Sequence, residues 1–236
     1  NIDESMKAIE ELKNILRLDG VPERIEAYDI SNIQGVQSVG SMVVFEKGMP
    51  SKSNYRRFKI KTVDGPNDYK SLEEVLERRI NRGLGEDGQG FGKMPDLILV
   101  DGGKGQTSIA EEVISNFGLD IPVCGMIKDD RHTTRGLIYK NSEIELNKSH
   151  IVYQLIYRIQ EEAHRFALDY HRNLRDKTLF SSELDNIKNI GEKRKINLLK
   201  EFGSVDIIKT KSVDDLSSVP GMNIKAAESV YNYFHG

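Results

Sequence analysis

Apolar residues recur every three or four positions over residues 3–17, at Met6, Ile9, Leu12, Ile15 and Leu16, the spacing that lays one stripe along an α-helix. Three strand-like runs follow near 24–34, 37–46 and 54–63, and the short polar or Gly-containing breaks between them predict antiparallel pairing. Asn67 and Asp68 supply capping oxygens for a helix reaching about Arg82, and the Gly-rich stretch from Gly83 to Lys93 reads as a mobile loop. The pattern then changes to four apolar residues in a row, Leu97-Ile98-Leu99-Val100, as in a strand covered on both faces. That strand ends in Asp101-Gly102-Gly103-Lys104-Gly105-Gln106, where the glycine pair turns the chain into a helix over about 104–117. A second apolar strand, Ile121 to Ile127, leads to a charged loop at 128–135, a hairpin reaching Glu145 and a long helix over about 149–177.

This order predicts an α/β protein, a ribonuclease H-like mixed sheet flanked by helices, over residues 1–179. From about Phe180 the period shortens. Leu184 to Gly191 leads into a helix over 193–202, and Val213 to Val219 leads through Pro220-Gly221-Met222-Asn223 into another over 224–234. The repeat predicts a small all-α domain, 180–236, of tandem helix-hairpin-helix units. Asn or Gly at Asn189, Gly191, Gly221 and Asn223 is expected to supply positive φ in the turns.

Composition narrows the class further. The 236 residues are 38% hydrophobic, enough for one sizeable core and a small second unit. No apolar window approaches the ~20 residues that span a bilayer, so no membrane partner is expected. The lone Cys124 excludes a disulfide framework and Cys-based zinc, which suits a reducing, cytoplasmic setting. The chain opens at Asn1 inside a helical pattern, which reads as a piece of something longer. A net charge of −3 argues against a uniformly basic nucleic-acid binder. Local basic clusters remain at Arg56-Arg57, Arg78-Arg79, Lys128 with Arg131 and Arg135, and Lys193-Arg194-Lys195, each read as solvated surface unless a site organises it.

Two acids carry the candidate chemistry. Asp101 closes a buried strand, and Asp29 sits in a similar setting in Tyr28-Asp29-Ile30-Ser31. Carboxylates converging from neighbouring strands repel unless a cation lies between them, so the pair predicts a divalent-metal site. A nucleotide-binding Walker reading fails, since no Gly-x-x-x-x-Gly-Lys-Ser/Thr occurs. On the long helix the apolar stripe is Val152, Leu155, Ile159, Ala163, Phe166 and Tyr170, and at ~100° per residue His164 falls off it.

Four segments in order, Tyr28 to Gly35, Tyr55-Arg56-Arg57-Phe58, Asp101 to Gln106 and Glu162-Ala163-His164-Arg165-Phe166-Ala167, followed by the hairpin tail, resemble the carboxyl-terminal half of the UvrC family, the excision-repair nuclease subunits of bacteria. The resemblance implies a metal-dependent endonuclease that cuts damaged double-stranded DNA on the 5′ side of a lesion, with an Asp-Asp-His triad at Asp29, Asp101 and His164. Asp68 matches a further family carboxylate, with helix capping as its equal alternative. Asn32 stands where many relatives have His, and Asn189-Ile190-Gly191 replaces a Gly-x-Gly turn. The family's amino-terminal nuclease domain and its UvrB-engaging segment are expected to lie outside this chain.

Asp29 and Asp101 are then expected to hold Mg²⁺ or Mn²⁺, while His164 can ligate, orient water or exchange protons. Arg56, Arg57, Lys104, Arg131, Lys193, Arg194 and Lys195, with the turn residues Asn189, Gly191, Gly221 and Asn223, are the expected DNA contacts. Two rival classes stay open: a non-catalytic DNA-binding module, and a junction-resolving nuclease of the same fold.

Overall fold

The computed structural model describes residues 2–32, 38–85, 90–180 and 183–236. Ile33, Gln34 and Gly35 of the first motif, and residues 86–89 of the expected mobile loop, lie outside the described residues. The chain divides into two compact units, residues 1–169 and 170–236.

The first unit begins with α1 (Ile2–Leu16), whose stripe Ala8, Ile9, Leu12 and Leu16 is buried. Strands β1 (Arg24–Ser31) and β2 (Val39–Glu46) pair antiparallel. Lys47 and Gly48 both take positive φ, the two-residue hairpin geometry that fits strand twist, and return the chain as the short strand β3 (Met49–Pro50). A 3-10 turn at Lys52–Asn54 then leads to β4 (Arg56–Lys59), which continues along the same edge of β2. The expected run near 54–63 corresponds to β4 alone, and the short β3 falls in the break before it.

Helix α2 (Asp68–Gly85) is followed by β5 (Leu97–Asp101), α3 (Lys104–Asn116), β6 (Val123–Lys128), β7 (Thr134–Tyr139), β8 (Ser142–Glu145) and α4 (Ile151–Phe180). A second two-residue hairpin, Lys140-Asn141 with both φ positive, joins β7 to β8. The sheet order is β3-β2-β1-β5-β6-β7-β8 with β4 on β2; β1, β5 and β6 are parallel and the remaining pairs antiparallel. This is the mixed sheet that the element order predicts. Strand β5, at its centre, is buried from Leu97 to Val100.

One part of the core is not apolar. Arg24, Glu26 and Tyr28 alternate onto one face of β1, and Arg79 of α2 meets them there, 1% exposed against Glu26 at 0%. Arg79 grips Glu26 through Nε and Nη2, both at 2.9 Å, while Arg24 Nε (2.9 Å) and Tyr28 Oη (2.7 Å) donate to the same carboxylate. The remaining Arg79 donors reach the carbonyls of Phe91 (2.6 Å) and Lys93 (2.7 Å), which fixes the end of the Gly-rich loop. Arg79 is therefore not solvated, because a carboxylate buried on β1 needs a fully paired guanidinium opposite, while the partly exposed Arg78 donates to Glu74 and to the Lys59 carbonyl.

The second unit contains a 3-10 turn at Glu183–Asn186, α5 (Glu192–Phe202), α6 (Val205–Lys209), α7 (Val213–Ser217) and α8 (Ile224–His235). Leu184, Leu198, Ile208, Leu216, Ala226 and Val230 close its separate core. The turn expectation is half met: Asn189 (φ 69°) and Gly221 (φ 85°) are left-handed. Gly191 (φ −89°) and Asn223 (φ −137°) are extended N-caps instead. Asn223 caps α8 by accepting the Ala226 N–H, whereas Gly191 gives α5 no side-chain cap.

Candidate active site

Strands β1 and β5 run parallel with Tyr28 opposite Val100, so the next residue on each, Asp29 and Asp101, brings two carboxylates to the carboxyl edge of the sheet. Their proximity registers in Asp29. Burial first and then the Asp101 charge push its carboxyl up to about 7, with Lys128 opposing and Asp68 adding to the rise. Such a carboxylate pair is what a cation stabilises.

The turn after Asp101 depends on glycine. Gly102 has φ 154°, and a Cβ there would lie 2.6 Å from the Gln106 side chain. Gly125 of β6 backs the same turn, since a Cβ on it would meet the Gly102 carbonyl at 2.5 Å. The α3 amino terminus is thereby pressed close behind the acid, with Lys104 exposed as its first residue.

Two residues that the sequence reading did not assign to the site hold Asp101. Lys128, at an irregularity in the β6–β7 pairing, places Nζ 2.9 Å from Asp101 Oδ2. Gln160 of α4 donates to Asp101 Oδ1 at 3.4 Å and also bonds Thr134 Oγ1. Lys128 had been counted only as part of a basic cluster. Gln160 carried a usable signal, because it lies one helical turn before His164 and on the same side of α4.

His164 itself is exposed, off the buried stripe of Val152, Leu155, Ile159 and Ala163, as its helical phase predicts. It is not drawn into a closed cluster: among the described residues, no three His, Cys, Asp or Glu side chains gather tightly enough to enclose a cation. Asp68 is not the cap of α2. Asn67 accepts the Lys70 N–H (3.1 Å), while Asp68 accepts from Asn32 Nδ2 (2.7 Å) and shares a small cavity with Asp101 and Gln106.

The second and fourth motifs dock on each other. Tyr55 Oη donates to Glu162 Oε1 (3.0 Å), Arg165 grips Glu162 at 2.7 and 2.9 Å, and the Arg57 guanidinium lies 3.6 Å over the Phe166 ring while donating to the Phe166 carbonyl (2.9 Å). Arg165 holds the Glu162 carboxyl below the usual range despite its partial burial. Arg57, expected at DNA, thus ties α4 to β4. Arg56 spends one terminal nitrogen on the carbonyls of Ser53 and Tyr55, both at 2.7 Å.

Of the remaining expected DNA contacts, Arg131 and Lys193 are exposed, and Asp129 braces the Arg131 loop through the N–H groups of Arg131 and Thr133. Lys195 is corrected: it is 4% exposed, with Nζ 2.7 Å from Asp185, because its position on α5 faces the small core rather than solvent. Arg194 bridges the two hairpin turns, donating to the Asn189 and Gly221 carbonyls at 2.8 Å each.

Comparison with known proteins agrees with this architecture. The UvrC RNAse H endonuclease domain family matches residues 13–168, and a SAM-like helix-hairpin-helix tandem matches 181–234. UvrABC system protein C of Clostridium novyi is 54% identical over 238 residues, covering 96% of this chain, and that of Clostridium acetobutylicum is 54% identical over 237. The chain spans 38% of the length of each of these relatives. A crystal structure of human ENDOV aligns at TM-score 0.37 and 12% identity, over 75% of this chain and 100% of that one. A Ciona intestinalis endonuclease V bound to inosine-containing DNA aligns at 0.35 and 14%, over 54% of this chain and 59% of that one. With the sheet, the two strand-end acids and the docked motifs all inside the matched segment, this chain belongs to the UvrC RNase H endonuclease domain family.

Proposed function

We propose that this chain is the part of a nucleotide-excision-repair nuclease that cuts damaged double-stranded DNA on the 5′ side of a lesion, with residues 1–179 as the metal-dependent endonuclease and 180–236 as the DNA grip. The observation that carries the reading is the pair Asp29 and Asp101 at the carboxyl ends of adjacent parallel strands, with Asp29 pushed up to about 7 by burial and by its neighbour. The donor set fits a hard divalent cation, and Mg²⁺ or Mn²⁺ would be held by these two carboxylates. When bound, that ion supplies charge neutralisation at the phosphate and an activated water.

The chain's own residues do the remaining work. Gln160 and Lys128 fix the two oxygens of Asp101. Lys128, partly exposed, also presents positive charge toward an incoming phosphate. His164 exchanges the proton of the attacking water or leaving oxygen. In the grip, the α5 amino terminus lacks a side-chain cap, so its backbone N–H groups can take a phosphate without reading sequence, and Lys193 adds charge beside it. UvrB bound to DNA is the proposed partner of the longer protein, working in a reducing cytoplasm; no described helix is long and apolar enough to cross a membrane.

A nicking assay tests this. Duplex carrying one bulky adduct, supplied alone and as a UvrB–DNA complex, should be cut once on the 5′ side with Mg²⁺ or Mn²⁺, and not with Asp101→Asn. Preferential cutting of a four-way junction, or cleavage indifferent to chelator, would refute the proposal.

A further inference from the structure

Among the described residues, the buried side-chain oxygens with no hydrogen-bond partner are Ser41 Oγ and Ser71 Oγ. Ser41 is 0% exposed and stands in the middle of a row across three strands, with Asp29 directly opposite on β1 and Arg57 directly opposite on β4. Cross-strand partners project to the same face with Cβ atoms about 5 Å apart. That face is the one α4 covers, since Arg57 packs on Phe166.

Within the row the hydroxyl faces one side-chain acceptor. A guanidinium only donates hydrogen bonds, and Arg57 is already engaged with Phe166. The carboxylate of Asp29, directly opposite Ser41, is the row's acceptor. A change of Ser41 rotamer would turn the unsatisfied donor toward the acid opposite it. An orphan hydroxyl in a sealed core also lowers stability, so its presence beside the acid calls for a use outside folding.

We propose that Ser41 is a positioning residue for Asp29: in the working enzyme its hydroxyl donates to the Asp29 carboxylate and holds it in the orientation that meets the cation. The inference rests on the assignment of Asp29 proposed above. Hydrogen-bond partners of this kind behind a metal-holding carboxylate typically carry ~10–100-fold in activity or metal affinity.

The test uses Ser41→Ala, Ser41→Cys and, as control, Asp29→Asn, with unfolding temperature, kcat and KM for adduct duplex, and the Mn²⁺ concentration giving half of the Mn²⁺-induced rise in unfolding temperature. Ser41→Ala should unfold at the same or a higher temperature in chelator, lose about tenfold in kcat with KM unchanged, and need about tenfold more Mn²⁺. Ser41→Cys, a weaker donor of similar size, should fall between. A loss of activity that tracks a fall in unfolding temperature assigns Ser41 to packing and overturns the inference. Wild-type kcat and Mn²⁺ dependence in Ser41→Ala, with Asp29→Asn inactive, overturns it while leaving the site standing. Full activity in Asp29→Asn overturns the site and the inference together.

Discussion

Replacing Asp29 by Asn should abolish incision yet make the folded protein more stable at neutral pH. In the fold the Asp29 carboxyl is raised from 3.8 to about 7, through burial and then the Asp101 charge. A tenfold change in proton affinity corresponds to ~1.4 kcal/mol, so charging Asp29 in the folded state costs on the order of 4 kcal/mol relative to the unfolded chain, and about half that once residual solvent contact screens it. Because the folded value is the higher one, the contribution of Asp29 to stability is complete below about pH 4 and declines as pH rises toward 7, where it levels off. Asparagine keeps nearly the same volume and never ionises, so the variant does not share this decline. Urea unfolding of both proteins in chelator should show no difference near pH 4, a gain of about 1 kcal/mol at pH 5 and about 2–4 kcal/mol at pH 8. All other titrating groups are common to both proteins and cancel in the comparison. A gain independent of pH, or a loss of stability at pH 8, would refute the reasoning.

Other perturbations separate structural charges from contacts with DNA. Arg79→Met strands Glu26 in the core with Arg24 as its remaining cationic partner and should cost about 3–5 kcal/mol in urea unfolding, whereas Arg78→Met should change stability by under about 1 kcal/mol. Replacing Lys193, Arg194 and Lys195 together by Ala should make the slope of log affinity against log salt shallower by about 0.9, the value for one phosphate contact, because Lys195 is buried on Asp185 and Arg194 is engaged by two turn carbonyls; a change near ~2.7 would mean that all three charges reach DNA. Gly125→Ala places a methyl 2.5 Å from the Gly102 carbonyl, and should lower incision by displacing the Asp101 turn while salt-dependent DNA binding stays as in the wild type, read by the nicking assay beside a binding titration.

Much of this protein is written in short-range pattern. The stripe of α4 placed His164 outside the core, the unbroken run Leu97 to Val100 announced a doubly covered strand, and the repeat after Phe180 announced paired hairpins, because side-chain periodicity and turn chemistry act over a few residues. The acids Asp29 and Asp101 were legible for the same reason: each follows a strand pattern. That they stand side by side was decided by parallel register across a separation of 72 residues, which no local spacing encodes. The same holds for Lys128 on Asp101, for Arg79 sealed against Glu26, and for Lys195 turned inward to Asp185. In sequence these are basic residues in charged surroundings like any others. Only packing determines which of them lose their water, and a charge removed from water must find a partner, so tertiary structure decided which cations are structural and which remain free for phosphate.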